Sequence, residues 1–86
     1  MLHDTKIKKY QGTLIELATD IGDLRYDALS DFLNLLSDKI KHDGDKDFER
    51  GRVKLAKQLH DCAEELHQSK INIDEAWRIS KPFMDI

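Results

Sequence analysis

His60, Glu64 and His67 stand four and three residues apart, a spacing that stacks three side chains on one face of a helix. Two imidazoles and a carboxylate in such a row are donors for a divalent cation, and Glu64–His67 has the Glu-x-x-His spacing of helix-borne di-iron ligands. A buried centre of that kind needs further glutamates from neighbouring helices. Residues 24–42 contain none, and Glu16 falls on a polar side. The row therefore reads as a solvated face able to hold a cation only adventitiously. Asp43, Gly44, Asp45, Asp47 and Glu49 approach the acidic spacing of a calcium loop, but Lys54 occupies the twelfth position, where a carboxylate is required. These acids are expected to form a turn and cap helices instead. Cys62 is expected on the inner stripe of its helix as a small hydrophobe, and no serine lies in a nucleophile motif. Nothing here calls for a catalyst or a cofactor.

Glu49-Arg50-Gly51-Arg52, followed by Leu55-Ala56-Lys57-Gln58-Leu59-His60-Asp61, resembles the phosphoacceptor helix of two-component sensor histidine kinases. The resemblance is to the subgroup whose helix reads E-R-x-R and then I-A-R-E-L-H-D. It implies a dimeric helical bundle, with His60 taking phosphate from ATP and Asp61 as the neighbouring base. Val53 and Lys54 lengthen the spacing relative to that pattern, and no glycine-rich nucleotide-binding stretch occurs in these residues. Arg50, Arg52, Lys54 and Lys57 form a basic stretch in the same region. Without interleaved aromatics, in a chain of net charge −3, that stretch argues against nucleic acid as a partner.

The elements that must position these residues are helices. Tyr26, Leu29, Phe32, Leu33, Leu36 and Ile40 recur at offsets of three and four, which is one face of a helix. Ala28 and Leu35 widen that face. Gly22 and Asp23 read as a stop followed by a cap, so a helix is expected over about Leu24–His42, stopped by Gly44. A polar loop over His42–Asp47 would lead into a second long helix over about Asp47–Ser69. Thr5–Ile21 carries its own stripe, and Thr13 with Glu16 makes a capping box at which that helix starts or bends. Asn72 with Glu75 predicts a further cap, opening a short helix over Ile73–Ser80. Pro82 forces residues 81–86 out of helical geometry, with Phe83 and Met84 pinning the tail.

Charged residues make up 36% of the 86, which suits long helices with solvated faces. No more than two apolar residues run consecutively, so no membrane-spanning stretch is expected. A single cysteine fits a reducing compartment, and the cytoplasm is the expected location. The sequence thus predicts one all-α domain over 1–86, with about 1–9 and 81–86 as tails. Its expected form is an up-and-down three- to four-helix bundle, alone or as a dimer, with a first helix packed across an antiparallel pair. The expected function is protein interaction or regulation, including self-association into a homodimer. Leu35, Val53, Trp77 and Phe83 are the expected contact residues. Phosphotransfer or metal binding at His60, Glu64 and His67 is the alternative, followed by a nucleic-acid-associated regulator using Arg50, Arg52, Lys54 and Lys57.

Overall fold

The structure is a computed structural model that describes residues 3–83. Those residues hold three α-helices and a terminal 3-10 turn, and no strand: α1 (Leu14–Gly22), α2 (Tyr26–Glu49), α3 (Val53–Ser80) and the turn Lys81–Phe83. The all-α reading holds, with three helices where up to four were expected.

Helix α1 begins where the capping box places it. The Glu16 amide donates to Thr13 Oγ1 at 3.1 Å and the Thr13 amide donates to Glu16 Oε1 at 3.0 Å, which satisfies two donors that a helix start leaves unpaired. Residues 5–12 are not helical. Tyr10 instead folds back so that its hydroxyl donates to Asp20 Oδ2 at 2.5 Å. The Asp23 amide closes α1 on the Thr19 carbonyl.

Gly44 does not stop α2. The helix runs through the expected loop to Glu49, and the glycine with positive φ is Gly51, at +78°. There the Arg52 amide donates to the Asp47 carbonyl at 2.9 Å and the Gly51 amide to the Phe48 carbonyl at 3.0 Å. This pair of bonds around a left-handed glycine is a Schellman ending. The acids expected to make the loop are held in the helix by i,i+4 partners, Lys39–Asp43 at 2.7 Å and Lys41–Asp45 at 4.0 Å.

Nor does α3 break at Asn72. Ser69 Oγ donates back to the Glu65 carbonyl, while Lys70–Asp74 (2.5 Å) and Glu75–Arg78 (2.5 Å) stitch the turns across the expected gap. The expected fourth helix is the end of α3.

Helices α2 and α3 lie along each other, and among the α-helices they are the only pair that packs extensively. The expected crossing of the first helix over them is absent: α1 extends from the hairpin, with Leu14 and Ile15 exposed. The seam is made of small residues. Ser30, Ser37 and Gly44 are seven apart on α2, Ala56 and Ala63 seven apart on α3, and all five are buried. Side chains this small let two backbones approach closely, and a repeat of seven keeps them facing through a left-handed twist. Ser37 Oγ donates to the Ala63 carbonyl at 2.7 Å, and Ser30 Oγ donates to Asp74. Partner numbers fall on α3 as they rise on α2, so the pair is antiparallel. At the open end the Arg25 guanidinium lies 5.4 Å from the Trp77 ring centre and the Lys81 ammonium 6.0 Å, which ties the start of α2 to the end of α3.

Candidate interaction surface

The small-residue seam divides the hairpin into two faces of opposite character. At about 100° per residue, positions three after and one before a seam residue turn to one side. On α2 these are Leu33 and Ile40, Leu29 and Leu36; on α3 they are Leu59 and Leu66, with Leu55 and Cys62, and Ile73 and Ala76 continue the same rows at intervals of seven. Because the helices are antiparallel, both sets turn to the same side of the pair. Positions four after and one after turn to the other side: Lys41, Asp38 and Asp45 on α2, His60, His67 and Glu64 on α3.

The polar side forms an open groove of about 320 Å³ floored by Ser37 and Ala63. His60, Glu64 and His67 all line it, as their spacing requires, with Asp38, Lys41 and Asp45 on the opposite wall. His60 Nε2 lies 2.9 Å from Asp45 Oδ1. Glu64 and His67 close on no common point with it, and no cluster of three or more His, Cys, Asp or Glu able to hold a metal ion occurs among the described residues. Asp61, the other residue of the histidine-kinase-like stretch, pairs with Lys57 at 2.6 Å.

The apolar side is only partly covered among the described residues. Leu29, Phe32, Leu33, Leu36 and Ile40 are half-buried, as are Leu59, Leu66 and Ile73, and Leu55 is exposed. Among the described residues only alanines count as buried hydrophobics, and no large side chain is fully buried. Cys62, expected inside, is exposed at the rim of this face, because it precedes the seam residue Ala63 by one position.

The four expected contact residues do not form one patch. Leu35 lies on the back of α2, 66% exposed. Val53 opens α3 beside the turn, whereas Trp77 and Phe83 lie at the other end of the hairpin. The basic residues do gather, around the α2–α3 turn. Arg52 reaches Asp47 at 3.0 Å and Lys57 pairs with Asp61, leaving Arg50 and Lys54 in no ion pair among the described residues.

Several carboxyls of the hairpin are held below the ordinary range by hydrogen-bonded partners. Lys70 and then Ser30 hold Asp74 down, Lys39 holds Asp43, and Arg78 holds Glu75. At the other end of the charge scale Tyr10 is pushed up by its bond to Asp20. These groups form structural pairs along the helices, none at a common reacting centre.

The small-residue seam is not visible in the apolar stripes. Its signal was available, as Ser30, Ser37 and Gly44 at intervals of seven, but serine and glycine carry no weight in a search for apolar periodicity. Comparison of the chain with protein families, with characterised proteins and with solved structures finds no match to any of them.

Proposed function

We propose that this chain is a non-enzymatic protein-interaction module that works in the cytoplasm by presenting the apolar face of its helical hairpin, first of all to another copy of itself. The observation that carries the reading is a hairpin of 24- and 28-residue helices whose buried hydrophobics, among the described residues, are alanines alone, while Leu29, Leu33, Leu36, Ile40, Leu59, Leu66 and Ile73 share one side and are only half-buried. A small chain stabilises itself by removing apolar area from water, worth roughly 25 cal/mol per Å². Here that area is arranged for a second surface to remove. The exposed free thiol of Cys62 fits a reducing compartment.

Sedimentation velocity over a range of protein concentrations tests the proposal. The expected result is a concentration-dependent shift from monomer to a larger species, reversed in Leu66→Glu with helicity retained by circular dichroism. Leu36→Gln is the milder companion should Leu66→Glu fail to fold. A wild-type chain that remains monomeric at millimolar concentration would overturn self-association.

A further inference from the structure

We infer that residues 5–22, set apart from the hairpin, form a docking surface for an anionic lipid bilayer, with Ile7, Leu14 and Ile15 entering the acyl boundary and Lys6, Lys8 and Lys9 meeting the headgroups. The inference is independent of the self-association reading, because it uses a different surface of the chain.

Residues 5–12 fold back beside the start of α1. The Tyr10 hydroxyl holds them there through Asp20. Gly12 leaves room for the ring, since a methyl group at that position would stand 2.7 Å from Tyr10 Cε1. With the first turn of α1 they wall an open hollow of about 770 Å³, whose lining brings Lys6 and Lys8 beside Ile7, Leu14, Ile15 and Leu17. Leu14 is 65% exposed and Ile15 80%, the most of any large hydrophobic among the described residues. At about 100° per residue Leu14, Ile15, Leu17, Ala18 and Ile21 fall within one arc of roughly 160°. No other helix packs extensively on α1.

Charge decides which surface this arc fits. Glu16 and Asp20 lie on the opposite arc of α1, and both are engaged, Glu16 by the Thr13 amide and Asp20 by Tyr10. Asp4 is the one acid among residues 3–12, against three lysines. Those lysines form no ion pair among the described residues. Asp23 and the acids of the hairpin begin beyond the far end of α1, whose nine residues span roughly 13 Å. That exceeds the screening length of about 8 Å at physiological salt, so the apolar arc has a cationic rim although the chain carries a net −3. An exposed apolar stripe beside lysines is the combination that holds a segment in the plane of an anionic leaflet, where each lysine multiplies binding about fivefold. No helix among the described residues is long and apolar enough to cross a membrane, so the contact is peripheral.

Flotation of the full chain with phosphatidylcholine vesicles, with and without phosphatidylserine, tests the inference. Binding is expected to the mixed vesicles and to fall as salt rises. Lys6→Gln with Lys8→Gln should lower it about tenfold or more, and Ile15→Ser by about tenfold. Leu66→Glu on the hairpin should leave it unchanged; loss there, with Ile15→Ser still bound, would place the contact on the hairpin and overturn the inference. A nitroxide at Ile15→Cys in a Cys62→Ser background reads depth directly. With mixed vesicles it should become accessible to oxygen and shielded from a water-soluble nickel complex, while a label at Thr19→Cys stays in water. Absence of binding to either vesicle overturns the inference. Poly-glutamate held equally by the unaltered chain and by Ile15→Ser, without vesicle binding, would assign the lysines to an acidic protein and overturn it as well. Sedimentation without vesicles reads self-association separately, so each reading fails on its own measurement.

Discussion

Gly44 and Gly51 are seven residues apart and serve opposite purposes. Gly51 supplies the left-handed backbone that ends α2, whereas Gly44 sits inside the helix at its closest approach to α3. A methyl group at Gly44 would stand 2.6 Å from His60 Cδ2 and 3.2 Å from Leu59 Cβ. Alanine in a helix interior is otherwise favoured by about 1 kcal/mol. The contact should win, because Leu59 Cβ moves only with its backbone and the His60 ring would have to leave Asp45. Gly44→Ala is therefore expected to destabilise the hairpin by about 1 kcal/mol in chemical denaturation. The loss should shrink or reverse in a His60→Ala background, giving a coupling of about 1 kcal/mol in the double-mutant cycle. Equal effects in both backgrounds would show that the ring is not what the glycine accommodates.

At the scale of the element, α1 and the hairpin are held by separate means. The Thr13 capping box is local to α1, so Thr13→Ala should cost that helix about 1 kcal/mol and speed amide exchange over its first turn. The thermal transition of the hairpin should not move, since α1 does not pack along it; a matching drop would reveal a contact that couples them. The open end of the hairpin depends instead on Asp74, which accepts from Ser30 and pairs with Lys70. Its carboxyl is held below the usual range in the folded chain. The stabilisation is therefore complete above the ordinary aspartate value of about 3.9 and lost as pH falls through the lower folded value. Acidification across that window should loosen the Ser30 end first, read as faster exchange or fluorescence change at Trp77. Asp74→Asn should remove most of that sensitivity.

For the whole molecule, the proposed self-association ties stability to association. On that proposal, a hairpin that buries no large side chain completely among the described residues draws part of its apolar burial from its partner copy. Its thermal midpoint should rise steadily with protein concentration, and the rise should vanish in Leu66→Glu. A midpoint independent of concentration over two or three decades would mean that the hairpin is stable alone.

Helical periodicity was legible throughout: the α2 stripe, the capping box at Thr13, the common face of His60, Glu64 and His67, and the antiparallel pairing all follow from spacing along one chain. Such features depend on residues within a turn or two of each other, which is the range that local sequence encodes. The fate of Gly44, Asn72 and Cys62 was not legible. Each is a good stop, cap or core residue by local preference; Gly44 was decided by α3 lying against it, Cys62 by its place one before the seam residue Ala63, and Asn72 by the pairs that stitch α3 across it. Only the tertiary structure placed the small residues at the seam and thereby sent most of the hairpin's leucines to one side and His60, Glu64 and His67 to the other. The reason is geometric: the angular position that faces a neighbouring helix is defined by the neighbour, and the residues that permit closest approach are those with least side chain.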